Sequence, residues 1–164
     1  MALRNIVVEG DEILTKKCRE VVKFDGRLAE LLDDMIETMR DAEGVGIAAP
    51  QVGVLRQVCV IEPEPGYVTE LINPVIIEQE GEQEGYEGCL SVPGYIGCVK
   101  RPMKIKVRSQ NRRGGLEEYV FEGFDAVAAS HEMDHLQGIL YTSKATDIHK
   151  PELQDEDGAE DTEE

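Results

Sequence analysis

Apolar residues in this chain keep one spacing over a long block before changing to another, and the blocks do not alternate. Leu28, Leu31, Leu32, Met35, Ile36 and Met39 recur at helical spacing and predict an amphipathic helix. Asp25 can cap its start, and Gly44 sits where a left-handed residue is wanted at its end. Strand-like segments follow at Gln57 to Ile61, Leu71 to Ile77, Lys104 to Val107 and Leu116 to Phe121. A second helix then runs from about Asp125 to Gln137, ended by Gly138. Segregation of helix from strand, rather than β-α-β alternation, argues for an α+β fold.

The intervening segments are readable more coarsely. Ile6 to Val8 is a short apolar strand, and Asn73-Pro74 marks a bulge or an edge in its strand. Glu78 to Glu87 holds five acids and two glycines and reads as a solvated ribbon or loop. Asn111-Arg112-Arg113-Gly114-Gly115 is a turn that joins the last two strands into a hairpin. Gly44 to Val54, GVGIAAPQVGV, is small, apolar and rich in glycine, an odd composition for an exposed loop.

Length and charge limit the partners. With 164 residues the chain fits one domain with a sizeable core. Its formal charge of -17 is concentrated at the end, where residues 152–164 hold eight acids and no Lys or Arg. Without that stretch 26 acids still face 17 bases, so neither a broad nucleic-acid surface nor binding to anionic membranes is expected. No apolar run approaches the roughly 20 residues that cross a bilayer, and the beginning of the chain lacks the apolar core of a signal peptide. The four cysteines, Cys18, Cys59, Cys89 and Cys98, are then expected as reduced thiols in a cytoplasmic protein. Residues 149–164 read as an acidic tail whose composition predicts disorder.

The second helix contains His131-Glu132-Met133-Asp134-His135. Two histidines four apart project from one helix face, so both imidazoles can reach one metal ion. Glu132 lies about 100° round from His131, beside the metal without ligating it, where a general base for an activated water must stand. The same five residues also suit a solvated surface helix. A catalytic site usually needs a third protein ligand. The chain has only three histidines, so that ligand should be Cys, Asp or Glu. Cys89, in Glu87-Gly88-Cys89-Leu90-Ser91-Val92-Pro93, is the best candidate, although a lone Cys is more often a small buried hydrophobe.

Three separated segments together resemble the peptide deformylases, metallohydrolases that remove the N-formyl group from nascent polypeptides. These are Gly44-Val45-Gly46-Ile47-Ala48-Ala49-Pro50-Gln51, Glu87-Gly88-Cys89-Leu90-Ser91 and His131-Glu132-Met133-Asp134-His135, in the family's order and separations. Met35-Ile36-Glu37-Thr38-Met39 is also typical, and the resemblance covers about residues 3 to 146. It implies mixed or antiparallel sheets packed around a central helix carrying the H-E-x-x-H motif, with residues 1–148 as the catalytic domain.

The resemblance also implies roles. Cys89, His131 and His135 would ligate one divalent ion, natively Fe2+, with Zn2+, Ni2+ or Co2+ as replacements in preparations. Glu132 would be the general acid/base. The Gln51 side-chain amide and the Leu90 backbone N–H would donate to the oxyanion, and Gly46 with Val45 would bind the substrate peptide as an added strand. Glu87 and Ser91 would orient the ligand loop. The substrates would be N-formyl-methionyl peptides of nascent chains. Two positions depart from the family: Ile96, near which many members carry an Arg that helps bind the substrate, and Cys98, where many carry a charge. The acidic tail also replaces the basic helix by which some bacterial members dock on the ribosome, and RNA would repel it. A zincin-type endopeptidase would leave the Gln51 and Cys89 segments unexplained, and a deformylase-like peptide binder without activity would leave an intact catalytic set unused.

Overall fold

The computed structural model describes residues 2–151; the acidic stretch 152–164 lies outside them. Among the described residues two α-helices, α1 (Gly26–Asp41) and α2 (Phe124–Leu136), combine with eight strands: β1 (Gly46–Ala48), β2 (Val58–Ile61), β3 (Thr69–Glu80), β4 (Gln83–Cys89), β5 (Val92–Arg101), β6 (Lys104–Gln110), β7 (Leu116–Glu122) and β8 (Thr146–His149). The strands form a five-stranded sheet, ordered β1-β2-β3-β6-β7, and a three-stranded sheet, ordered β4-β5-β8. Every pairing within the sheets is antiparallel, and the fold is α+β.

Alternation along the strands assigns the two helices to opposite faces of the larger sheet. Ile47, Val58, Val60 and Ile72 pack with Leu28, Leu32, Met35 and Met39 of α1. Their neighbours Ala48, Cys59, Ile61 and Leu71 pack with Ala126, Ala129, Met133 and Leu136 of α2. That is why β2 is buried at all four residues and reads as one apolar run. The far side of α2 meets β5 of the smaller sheet. The helix therefore lies between two sheets, and its buried residues, Ser130, His131, Glu132 and His135 among them, surround its axis.

Several local readings need correction. Ile6 to Val8 is no strand: Val7 donates its N–H to the Gln51 carbonyl at 2.7 Å and Glu9 donates to Ser91 at 2.7 Å, single bonds to separate loops rather than a ladder. The left-handed residue after α1 is Glu43 (φ 59), not Gly44. Gly44 lies instead against the Leu90 side chain, where a Cβ would come within 2.8 Å of Cδ1 and make that side chain shift. Glu78 to Glu87 is the end of β3, a short turn and most of β4. Two of its acids stand directly across from lysines of β6, Glu78 opposite Lys106 and Glu80 opposite Lys104. Asn73 sits at a register shift inside the sheet, with φ 52. Its side chain accepts from the Val21 N–H at 2.8 Å and donates to the Val21 carbonyl at 2.9 Å, so the site is a bulge and not an edge.

Candidate active site

Three elements converge on the cleft between the sheets. Cys89 is the last residue of β4, and Leu90-Ser91 make the turn into β5. His131 and His135 stand one turn apart on α2. The ligand atoms of Cys89, His131 and His135 all lie within 4.8 Å of one another. The Cys89 Sγ is 3.4 Å from His135 Nε2. His135 is fully buried, and His131 is 8% exposed, on the cleft side.

The surroundings suit a cation. Glu87 Oε1 is 2.9 Å from His131 Nδ1, which leaves Nε2 as the nitrogen available to an ion. Arg101 donates to both Glu87 oxygens at 2.8 Å, and to Asp134 Oδ2 at 2.7 Å; Lys144 lies 3.0 Å from that same Asp134 oxygen. Although burial opposes charge on Glu87, its bonds to Arg101 and His131 hold its carboxyl at about 2. Burial works to lower the pKa of His131, but its bonds to Cys89 and Glu87 carry it up to about 10, so ligation through Nε2 would require an ion to displace that proton. Burial, followed by the charges of His131 and Arg101, pushes His135 down to about 3, the neutral form that a metal ligand requires. One sulfur and two imidazoles with this charge balance fit a thiophilic divalent ion.

Two further groups flank the triad. Gln51 is buried in a 3₁₀ turn of residues Ala49–Val52, where its Oε1 accepts from the Ala48 N–H at 2.9 Å. That bond fixes the amide orientation, so Nε2 donates to Ser91 Oγ at 3.0 Å and faces Cys89 Sγ at 3.6 Å. Glu132 is 5% exposed, and its Oε1 has no partner. Burial, with Glu87 and Asp134 nearby, raises its carboxyl to about 7 despite His131 and Arg101. Gly46 makes room for it: a Cβ there would lie 2.5 Å from Glu132 Oε2.

The cleft has a volume of about 660 Å³, and Val45, Gly46, Gln51, Cys89, Leu90 and Ile96 are among its lining residues. β1 is an edge strand on one side of it and β4 on the other. The Val45 carbonyl accepts from Glu62 N–H at 2.7 Å, on the β2 side. By alternation the main-chain groups of Gly46 face the open edge. Of the residues without an expected role, Cys18 and Cys59 lie in the core and Cys98 is half-buried. Sequence reasoning missed Arg101, a buried guanidinium that looks in the sequence like any Lys-Arg pair, and Tyr141. The Tyr141 ring stacks on His131 with centroids 5.8 Å apart, and its hydroxyl donates to the Tyr95 carbonyl.

Residues 3–151 match the family described as polypeptide deformylase. The peptide deformylase of Alkaliphilus metalliredigens is 54% identical over 144 residues, 88% of this chain and 97% of that protein. That of Acetivibrio thermocellus is 56% identical over 146 residues, 88% of this chain and 84% of that protein. The crystal structure of the Thermotoga maritima peptide deformylase superposes with a TM-score of 0.85 at 39% identity, covering 88% of this chain and 98% of that one.

Proposed function

The chain belongs to the peptide deformylase family, and from that premise we propose how its own residues divide the work. The family's enzymes are metal-dependent hydrolases that remove the N-formyl group from nascent chains, and this chain is one of them. In our reading Cys89, His131 and His135 hold the ion, natively Fe2+. An ion held there supplies Lewis-acid polarisation and an acidified water. The compactness of this ligand group, with Glu132 and Gln51 beside it, carries the assignment.

The remaining steps fall to side chains and main chain. A formyl-methionyl peptide lies along the open edge of β1, bonded to the Gly46 N–H and C=O and flanked by Val45. Glu132, buried and poised near neutral pH, takes a proton from water as its oxygen adds to the formyl carbon. Negative charge then gathers on the formyl oxygen. One Gln51 N–H is already held by Ser91, so the second, directed towards the Cys89 sulfur, meets that charge together with the Leu90 N–H. Each such donor is worth about 3 kcal/mol. Glu132 returns the proton to the leaving amine as the C–N bond breaks, and formate and a free amino-terminus result. Burial of the Gln51 and Glu132 side chains strengthens their interactions with the reacting groups.

We place the reaction in the cytoplasm, on nascent chains, with no ribosome docking through a basic tail. Among the described residues no helix is long and apolar enough to cross a membrane. The experiment is formate release from formyl-Met-Ala-Ser by protein purified anaerobically, with metal measured in the same sample. Turnover with bound iron is expected, and Cys89→Ala should lose both. Retention of stoichiometric metal by Cys89→Ala would refute the ligand assignment; cleavage of unformylated protein without formate release would favour an endopeptidase.

A further inference from the structure

The proposed ligands sit on two elements, Cys89 at the end of β4 and the two histidines on α2, and their spacing depends on what joins those elements. Glu87 and Arg101 join them through His131 Nδ1. Tyr141 joins them again. It lies beyond α2 in the 3₁₀ turn Tyr141–Ser143, after Gly138 (φ 79) has turned the chain back towards the site. Its ring stacks on the His131 imidazole, with centroids 5.8 Å apart and planes at 27°. With Val92 and Val99, Tyr141 also forms the small cluster against which Cys89 packs. One side chain thus touches both the helix of the histidines and the surroundings of the sulfur.

Its hydroxyl does a second thing. β4 and β5 fall out of register beside Cys89: Glu87 pairs with Gly97 and Cys89 with Val92, so residues 93–96 face Gly88 alone. A shift of this kind takes main-chain groups out of the ladder. Tyr95 lies within it, and its carbonyl accepts from the Tyr141 hydroxyl at 3.2 Å. Gly97 keeps the approach open, since a Cβ there would lie 3.3 Å from Tyr141 Cε2. Tyr95 and Ile96 line the cleft, whereas Tyr141 is 1% exposed and meets no substrate. We propose that Tyr141 is a positioning residue with two separable parts: its ring fixes the His131 imidazole relative to the Cys89 sulfur, and its hydroxyl holds the Tyr95–Ile96 wall in the shape that binds the peptide. The inference rests on the ligand assignment proposed above. Outer contacts of ligating histidines typically change metal affinity by about 10- to 100-fold when removed.

The test separates ring from hydroxyl. Tyr141→Phe keeps the ring and loses the bond to Tyr95; Tyr141→Leu loses both. The unaltered chain and both variants are loaded with Co2+ as a spectroscopic probe. Each is followed by visible absorption, by competition for the ion against a chelator, and by formate release from formyl-Met-Ala-Ser. Tyr141→Phe should keep the cobalt bands and an affinity within about twofold, while KM rises about fivefold at nearly unchanged kcat, because the binding-competent wall is less populated. Tyr141→Leu should also shift the cobalt bands and weaken Co2+ affinity about tenfold or more. Unaltered bands and affinity in folded Tyr141→Leu would overturn the proposal. So would an unaltered KM in Tyr141→Phe, which decides alone if the Leu variant does not fold. A cobalt spectrum without a thiolate charge-transfer band in the unaltered chain would refute the ligand assignment instead.

Discussion

The two helices differ in what they bury. α1 covers one face of the larger sheet with Leu28, Leu31, Leu32, Met35 and Met39 and turns its other side to solvent. Its buried Asp34 is satisfied by the Arg4 guanidinium at 2.9 Å. The one partnerless buried atom in α1, Glu37 Oε1, belongs to a half-buried residue, whereas α2 lies between two sheets and buries ionisable residues whole, and Glu132 and His135 there each keep a side-chain atom without a partner. Such a group costs stability and persists where a function uses it. The comparison teaches that α1 supports the fold and α2 spends part of that support on chemistry.

Glu132→Gln should separate the two roles most sharply. Loss of the proton-transfer group should lower kcat/KM for formyl-Met-Ala-Ser by about 10³-fold. Metal content should be unchanged, since Glu132 is outside the ligand group. The melting temperature should hold or rise, because a neutral amide replaces a carboxyl that burial already pushes up to about 7. A large fall in melting temperature would erase the contrast between the helices.

Leu32→Ala is the reciprocal test. Leu32 is fully buried among Leu28, Met35 and the α1-facing residues of β2. Truncation should cost about 3 kcal/mol in denaturant unfolding. The proposed metal ligands lie on the opposite face of the sheet, so kcat/KM of the folded fraction should stay within about twofold. A strong loss of turnover in fully folded protein would mean that α1 shapes the site through β1.

The same contrast explains what could be read in advance. α1 was legible because one apolar face gives one stripe. α2 was legible mainly through His131 and His135, since a helix covered on all sides carries no stripe of its own. The β6–β7 hairpin followed from its turn, where the Asn111 side-chain oxygen accepts from Arg113 and Gly115. β5 passed unread because Pro93, Gly94 and Gly97 mask its alternation. Gly97 is required there, for a Cβ would lie 2.8 Å from that of Ala145. β8 is short, and its Asp147 has φ 53. At the site, the residues named by resemblance converge on one cleft, with His135 just behind it. The support of His131 by Glu87 and Arg101 was only half visible, because Arg101 reaches Glu87 and Asp134 through pairing across the smaller sheet and packing against α2, which sequence order does not reveal.

The smallest effect concerns how each helix begins. Asp25 caps α1, its carboxylate accepting from the Leu28 N–H at 3.2 Å. α2 starts at Gly123 (φ 66, ψ -130) with no side-chain cap, and packing of its first turn falls to Ala126, since Phe124 and Asp125 are exposed. Asp25→Ala should therefore cost about 1 kcal/mol, and Asp25→Ser should recover most of it. Chemical denaturation of both variants checks the magnitude, and formate release should match the unaltered chain. At Gly123 the backbone is left-handed and a side chain would be strained whatever the space around it, so Gly123→Ala should cost about as much through conformation alone. If Asp25→Ala proved neutral, α1 too would be held by packing rather than by its cap, and the two helices would differ only in what they bury.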